Sequence, residues 1–354
     1  MDNTPMTSQM AREIADQPAA LSRTLDRLLL LRPDIARLAK GRRWLMFIAR
    51  GSSDNAAVCA RYLAEIHGGW NCALAAPSVA TLYAESAPKR DLSDTLAIAV
   101  SQSGSTQEIV QALEWAADQG AATIGVTNVA DSDLARIADL ALITDAGKEL
   151  AVPATKTFTT QVAALTVLVD ALSPTPGALD ADFRRIPEQA EAMLATDTDV
   201  LDQMVEVLKG TDEVLTSGRG ITFGTTLEAA LKLEETCLRP VRGLSYADLK
   251  HGPMAIVDAE LATLLLAGPS GPTLPGLMEL ATSVRASGAP VLGIGGDEAF
   301  RAACDLALPG PDLPEVLAPT VLPIPAQLLV ERLARALDLD PDQPRGLKKV
   351  TQTD

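Results

Sequence analysis

The sequence predicts an α/β chain made of two copies of one unit. Each copy is a parallel sheet covered by helices on both faces, with a helical arm before the first and a short tail after the second. Three observations carry this expectation. The chain has 354 residues, about twice the usual length of one domain. Its short apolar runs do not alternate with polar residues, and each leads through a Gly/Ser turn into an amphipathic stretch, as strands buried on both faces do. Four sequence landmarks also recur at a nearly constant offset.

In chain order, Met10 to Asp16 and Ala19 to Leu31 read as two helices broken at Pro18, with Ser8 as N-cap and Pro33 ending the second. The arm spans residues 1–40, the first copy 41–175, the second copy 195–340 and the tail 341–354. The apolar run Trp44 to Arg50 precedes Gly51-Ser52-Ser53 and a helix through Glu65. Its counterpart is Glu213 to Arg219, then Gly220 and a helix through Glu235, the two glycines standing 169 positions apart (51 and 220). Leu96–Val100 precedes Ser101-Gln102-Ser103-Gly104 and a helix to about Gly120, matched by Ala262–Leu266, the loop Ala267 to Gly271 and a helix to about Gly288. Thr123–Val126 answers Val291–Ile294. The identical segments Asp139-Leu140-Ala141-Leu142 and Asp305-Leu306-Ala307-Leu308 lie 166 positions apart (139 and 305). The Pro/Gly cluster Ser173 to Gly177 reads as the linker. Residues 309–325 are Pro-rich and irregular, Ala326 to Leu337 reads as a helix, and the tail from Pro341 carries Arg345, Lys348 and Lys349.

Composition removes whole classes of function. Thirty Lys and Arg against 46 Asp and Glu leave a net charge of −16, which repels a phosphate polymer or an anionic membrane surface. Three Trp, three Tyr and five Phe do not make a stacking platform for single strands. Neither nucleic acid nor membrane is expected as a partner. Cys59, Cys72, Cys237 and Cys304 form no Cys-x-x-Cys pair and read as reduced, buried thiols. The start Met1-Asp2-Asn3-Thr4-Pro5 lacks a signal-peptide pattern, and no apolar run approaches the ~18 residues of a membrane span, so the expected location is the cytoplasm. Two histidines without carboxylate–His spacing argue against a metal. Walker and dinucleotide glycine patterns are absent, and Gly-x-Ser-x-Gly is absent too. No cofactor is expected.

Three segments can carry chemistry. Ser101 to Thr106 follows a buried strand and opens a helix, where hydroxyls and backbone N–H groups can hold an anion; the same residues also describe an ordinary N-cap. Gly51-Ser52-Ser53 has the same character. Glu228, Lys232 and Glu235 fall at i, i+4 and i+7 on one helix face, a spacing that fits a solvated charge stripe as well as a site. His251 lies in the loop Leu249-Lys250-His251-Gly252-Pro253, where packing does not need an imidazole, whereas His67 before Gly68-Gly69 reads as a residue meeting the helix dipole.

Together with Gly147-Lys148-Glu149 through Thr155-Lys156-Thr157-Phe158-Thr159-Thr160-Gln161 and Pro344-Arg345-Gly346-Leu347-Lys348-Lys349, these segments resemble the sugar isomerase (SIS) family. Within it they are similar to the double-SIS isomerase half of glucosamine-6-phosphate synthase and to stand-alone amino-sugar-phosphate deaminases and isomerases. The resemblance covers the chain from about residue 10 to the tail and implies two flavodoxin-like αβα SIS domains. It implies that Ser53, Ser101, Gln102, Ser103 and Thr106 hold a sugar phosphate. Val152 would line the site through its backbone, and Ala154, Lys232 and Lys348 would add substrate contacts. Glu235 would shuttle a proton between carbons 1 and 2, His251 would open the pyranose ring, and Lys349 would sit at the sugar carbonyl. A homodimer is implied, because in such relatives the His loop can come from the neighbouring subunit. The sequence departs from the synthase at Ala154, which replaces a serine, and at Arg242, which replaces a carboxylate. A glutaminase with its Cys after the initiator Met is missing, residue 2 being Asp, so synthesis from glutamine is not expected of this chain. The second repeat's Gly268-Pro269-Ser270-Gly271 lacks the hydroxyls of the first, so one phosphate site per chain is expected. The implied activity is glucosamine-6-phosphate deaminase, with galactosamine 6-phosphate, a fructosyl-amine phosphate, or a non-catalytic sugar-phosphate sensor as the rival readings.

Overall fold

The computed structural model describes residues 8–349; Met1 to Pro5 and the last residues of the tail lie outside them. The described residues fall into two units. The first comprises residues 19–147 and 157–187, and the second comprises 8–18, 148–156 and 188–349.

In the first unit the strands are β1 (Trp44–Ile48), β2 (Asn71–Leu74), β3 (Thr95–Val100), β4 (Ala122–Thr127) and β5 (Leu140–Ile143), ordered β2-β1-β3-β4-β5. All pairings are parallel, with Trp44 opposite Thr95 and Ile124 opposite Leu140. Every residue of β3 and β4 is buried. Because successive side chains point to opposite faces, both faces of the sheet centre are covered. That explains why these runs carry no alternation. Ile48, Ala97 and Ala99 pack with Ile109, Val110 and Leu113 of the helix Gln107–Asp118.

The second unit holds β6 (Glu213–Gly218), β7 (Val241–Ser245), β8 (Leu261–Ala267), β9 (Val291–Gly295) and β10 (Leu306–Leu308), again all parallel, ordered β10-β9-β8-β6-β7. Read from the other edge this is the order of the first sheet. All seven residues of β8 are buried, each large aliphatic side chain contributing roughly 1.5–3 kcal/mol by leaving water. The repeated Asp-Leu-Ala-Leu has a physical reason. Asp139 Oδ2 accepts the N–H of Thr123 at 2.8 Å, and Asp305 Oδ2 accepts the N–H of Val291 at 2.8 Å. In each sheet one carboxylate ties the start of the last strand to its neighbour.

Some expectations need correction. Ser8 does cap the first helix, Gln9–Ala15, accepting the N–H of Ala11 at 3.0 Å. The break, however, falls at Asp16, and Pro18 lies in the first turn of the next helix, Gln17–Leu28. Pro33 does not end that helix. It opens a further one, Arg32–Ala39, since a first helical turn tolerates proline's missing N–H. The Ser173–Gly177 turn lies inside the first unit, and the chain passes to the second at 187–188. None of the four cysteines is in a disulfide, and burial pushes the thiols of Cys72, Cys237 and Cys304 up to about 12. No described helix is long and apolar enough to cross a membrane.

Candidate functional site

In a sheet ordered β2-β1-β3-β4-β5 the chain reverses direction between β1 and β3, and ligands bind beyond the carboxyl ends of the strands at such a point. The two hydroxyl-rich segments of the first unit follow these two strands. After β1, Gly51 takes φ +58° and opens the helix Ser52–Leu63, on which Ser53 is buried. After β3, the N–H of Ser101 donates to Val126 O at 3.0 Å. Ser101 Oγ accepts the N–H of Gly104 at 3.2 Å and lies 3.3 Å from Thr106 Oγ1. Ser103 Oγ accepts from the N–H and the hydroxyl of Ser105. The carbonyl of Gln102 is fixed by Asn128 N–H and Thr127 Oγ1, which leaves its side chain half-buried. Gly104 has φ +62°, and a Cβ there would stand 2.2 Å from Ser132 Oγ, so the loop requires glycine. Thr106 occupies the N-cap position of the helix Gln107–Asp118, yet its side chain makes no cap bond. The N-cap reading therefore does not account for these hydroxyls. Arg50 is bound in bidentate fashion to Glu108, at 2.8 and 3.1 Å.

In the second unit the helix Phe223–Cys237 carries Glu228, Lys232 and Glu235. They do not form a solvated stripe. Lys232 Nζ lies 2.5 Å from Glu235 Oε2 and 3.5 Å from Glu228 Oε1; the side chains of Lys232 and Glu228 are 2 % and 1 % exposed, that of Glu235 26 %. Burial pushes the Lys232 ammonium down, but Glu228 and Glu235, helped by Glu149, outweigh it and hold Lys232 above the ordinary lysine value. Such a buried cation keeps its proton, so it acts as a fixed positive charge beside Glu235.

Glu149 joins the same array. Its side chain is fully buried; Oε2 receives Lys349 Nζ at 2.5 Å, and Oε1 receives the N–H of Thr155 at 3.0 Å. Lys349 also donates to Ala151 O at 2.8 Å and remains 24 % exposed. The segment around Glu149 is clamped from two sides. Glu13 accepts the N–H groups of Leu150 and Ala151, and Val152 N–H donates to Asp342 O at 2.8 Å. Asp342 in turn accepts the first amides of the N-terminal helix, Gln9 N–H at 2.8 Å and Met10 N–H at 2.7 Å. Lys156 pairs with Asp16 at 2.8 Å. The arm, the 148–156 segment and the tail are thus tied together around Lys349. With its N–H so engaged, Val152 can offer a ligand only its carbonyl. Ala154 is half-buried; Lys348, His251 and Arg242 are exposed, His251 closing the helix Tyr246–Lys250.

Sequence reasoning gave no role to Glu13, Glu149, Gln161, Asp342 or Glu315. Glu149 and Gln161 stand inside a motif it singled out, whereas Glu13 acts across 137 positions and nothing local signals it. Glu315 lies against the loop after β8: a Cβ on Gly271 would stand 2.3 Å from its Oε2. A carboxylate thus faces the Gly268–Gly271 loop, where the first sheet has hydroxyls. Among the described residues no group of His, Cys, Asp and Glu suits a metal ion.

Comparison with known proteins places this geometry in context. The SIS domain family model matches residues 38–171. The glutamine–fructose-6-phosphate aminotransferase [isomerizing] of Thermococcus kodakarensis is 33 % identical over 350 residues, covering 96 % of this chain and 57 % of that protein. The chain thus spans little more than half the length of such curated relatives. A solved structure from Silicibacter pomeroyi, described provisionally as a phosphosugar isomerase, is 31 % identical with TM-score 0.84, covering 95 % of this chain and 100 % of that one. The C-terminal domain of glucosamine-fructose-6-phosphate aminotransferase from Francisella tularensis is 27 % identical with TM-score 0.85, covering 97 % and 100 %.

Proposed function

The chain belongs to the SIS domain family, and from that premise we propose that it is a phosphosugar aldose–ketose isomerase acting on an amino sugar, most specifically a glucosamine-6-phosphate deaminase. One observation carries the reading. In the array of Glu228, Lys232, Glu149, Glu235 and Lys349 the first three are buried, and Glu235 and Lys349 keep open sides, 26 % and 24 % exposed. A carboxylate and an ammonium fixed by buried partners are what proton transfer beside a polarised carbonyl requires.

In this proposal Ser53, Ser101, Gln102, Ser103 and Thr106 hold the phosphate, and the two identical sheet orders are two SIS modules. The Val152 carbonyl, Ala154, Lys232 and Lys348 line the sugar. His251 gives and takes the ring-opening proton, as an imidazole can near neutral pH. Glu235 then removes the proton from carbon 2 of the open-chain amino aldose and returns it to carbon 1, while a proton passes from the amine to the carbon 1 oxygen, which converts the amine-bearing carbon to a ketimine. Water adds to the C=N carbon, the C–N bond breaks, and ammonia and the ketose phosphate leave. Lys349 polarises the carbonyl at carbon 1. Phosphate binding remote from these carbons keeps the substrate in register. His251 is exposed and supports a homodimer in which it serves the neighbouring subunit.

The test is ammonia release from glucosamine 6-phosphate by purified protein and by Glu235→Gln, with other phosphosugars in parallel. We expect release by the parent and a loss of about 10²–10⁴-fold in the variant, the usual range for a general base. Isomerisation of a phosphosugar without ammonia would restrict the reading to the isomerase. Full activity in Glu235→Gln would remove that residue as the base, and binding without turnover of any phosphosugar would favour a sensor.

A further inference from the structure

One buried polar group of the first unit is left over from the geometry described so far. Gln161 lies on the helix Lys156–Ala171 and is 2 % exposed. Its Oε1 accepts the hydroxyl of Ser53 at 3.2 Å, while its Nε2 is buried with no hydrogen-bond partner. A buried amide nitrogen without an acceptor is destabilising, and such a group calls for an explanation. The arrangement also turns Ser53 the wrong way for an anion. A hydroxyl that donates to Gln161 presents only lone pairs to its surroundings, and lone pairs repel phosphate oxygens. Turning the amide end of Gln161 over resolves the second problem and eases the first, because the unpartnered position then holds a carbonyl oxygen, which burial tolerates more readily than an orphaned donor. Its two ends have nearly the same shape, and their assignment follows the hydrogen-bond network. Nε2 then donates to Ser53 Oγ, and the hydroxyl proton is released to point at an anion.

We propose that Gln161 is a positioning residue that sets the direction of the Ser53 hydroxyl: with an anion bound, its amide donates to Ser53 Oγ so that Ser53 donates to the anion. The inference rests on the proposed role of Ser53 in holding phosphate. Gln161 touches no ligand itself. Its effect falls on affinity for the phosphoryl group and spares the proton-transfer step.

The experiment measures inhibition by inorganic phosphate, together with KM and kcat for the phosphosugar turned over, in the parent, Ser53→Ala, Gln161→Met, Gln161→Glu and the Ser53→Ala/Gln161→Met double variant. Thermal melts check that each is folded. A hydrogen bond to a charged group sets the scale: we expect Ser53→Ala to weaken phosphate about tenfold or more. Gln161→Met, similar in volume, should weaken it several-fold with kcat held. The double variant should be no weaker than Ser53→Ala alone, because the two residues act through one proton. Gln161→Glu, which when ionised can only accept from Ser53, should bind phosphate more weakly than Gln161→Met, and increasingly so as pH rises. If Ser53→Ala keeps the parent's affinity, the phosphate reading of that loop fails. If Ser53→Ala weakens binding while Gln161→Met leaves KM and phosphate inhibition unchanged, or if the two losses simply add, the positioning role alone is overturned.

Discussion

Replacing Lys232 by methionine tests whether the charges of the Phe223–Cys237 helix are a balanced buried set. Lys232 is 2 % exposed and Glu228 1 %. Methionine keeps most of the side-chain volume and removes the cation, so Glu228 must stay charged in a dry site without its neighbour or take up a proton. Breaking a buried pair from one side costs about 3–5 kcal/mol, which for a unit of this size corresponds to a melting point lower by about 6–20 °C. Lys232→Met/Glu228→Gln removes both charges and is expected to recover most of that loss. The pH dependence gives an independent sign. Because the folded Lys232 pKa is raised above its ordinary 10.5, its contribution is complete below that value and is lost as pH climbs through the raised folded value; the single variant should lack that alkaline loss. Thermal melts by circular dichroism across pH are the assay. A single variant as stable as the parent, or a double variant no better than the single, would refute the balanced-set argument.

Glu149→Gln retains an oxygen for the N–H of Thr155 but turns an amide toward Lys349 in place of the carboxylate at 2.5 Å. Turnover is expected to fall about tenfold or more and the melting point to fall with it, since a buried partner is lost, and a steady-state assay with unchanged kcat would count against Lys349 being held for chemistry. Gly104→Ala and Gly41→Ala both place a side chain at positive φ, +62° and +80°, but only at Gly104 does a Cβ collide, 2.2 Å from Ser132 Oγ. Denaturant unfolding should show about 1–2 kcal/mol lost at Gly41 from backbone strain and about 1–3 kcal/mol more at Gly104 from overpacking, with phosphosugar affinity impaired only at Gly104; equal losses would contradict the geometry. Glu315 has its carboxyl pushed up by burial, so the folded chain holds that proton to higher pH than the unfolded chain, and stability falls as pH rises through that window. Glu315→Gln should remove this slope and be at least as stable as the parent at pH 7; a variant that melts lower there would show that the carboxylate is held by favourable contacts.

The sheets were legible because they rest on local, periodic information. Uniformly apolar runs such as Leu96–Val100 and Ala262–Leu266 can be stable only when both faces are covered, and the glycine turns after them mark the strand ends. Pro33 was read the wrong way because a proline is compatible with either side of a helix boundary, and the difference lies in which neighbouring turn finds packing. The candidate site was legible where chemistry is concentrated in a short segment, as in Ser101 to Thr106 or at Glu228, Lys232 and Glu235. What the spacing could not decide was burial: i, i+4, i+7 charges look the same on a wet helix and a dry one. Glu13 and Asp342 were illegible for a different reason. Each is one carboxylate among many, and its role comes from backbone amides more than a hundred positions away.

The two sheets show how one framework separates structural from functional requirements. The carboxylates at Asp139 and Asp305 make the same bond to the same place in the neighbouring strand, so each sheet keeps the residue that fixes the register of its last strand. The loops at the reversal points face no such constraint. After β3 the loop keeps hydroxyls and a glycine that admits no side chain. After β8 the hydroxyl pattern is gone and Glu315 lies against Gly271. A carboxylate in that position carries the same sign of charge as a phosphate and excludes it by repulsion as well as by volume. On the proposed reading an anion site therefore remains in one sheet and not the other without any change in strand order. In the second unit the helix after β6 carries Glu228, Lys232 and Glu235 instead, the charges on which the proposed proton transfer depends.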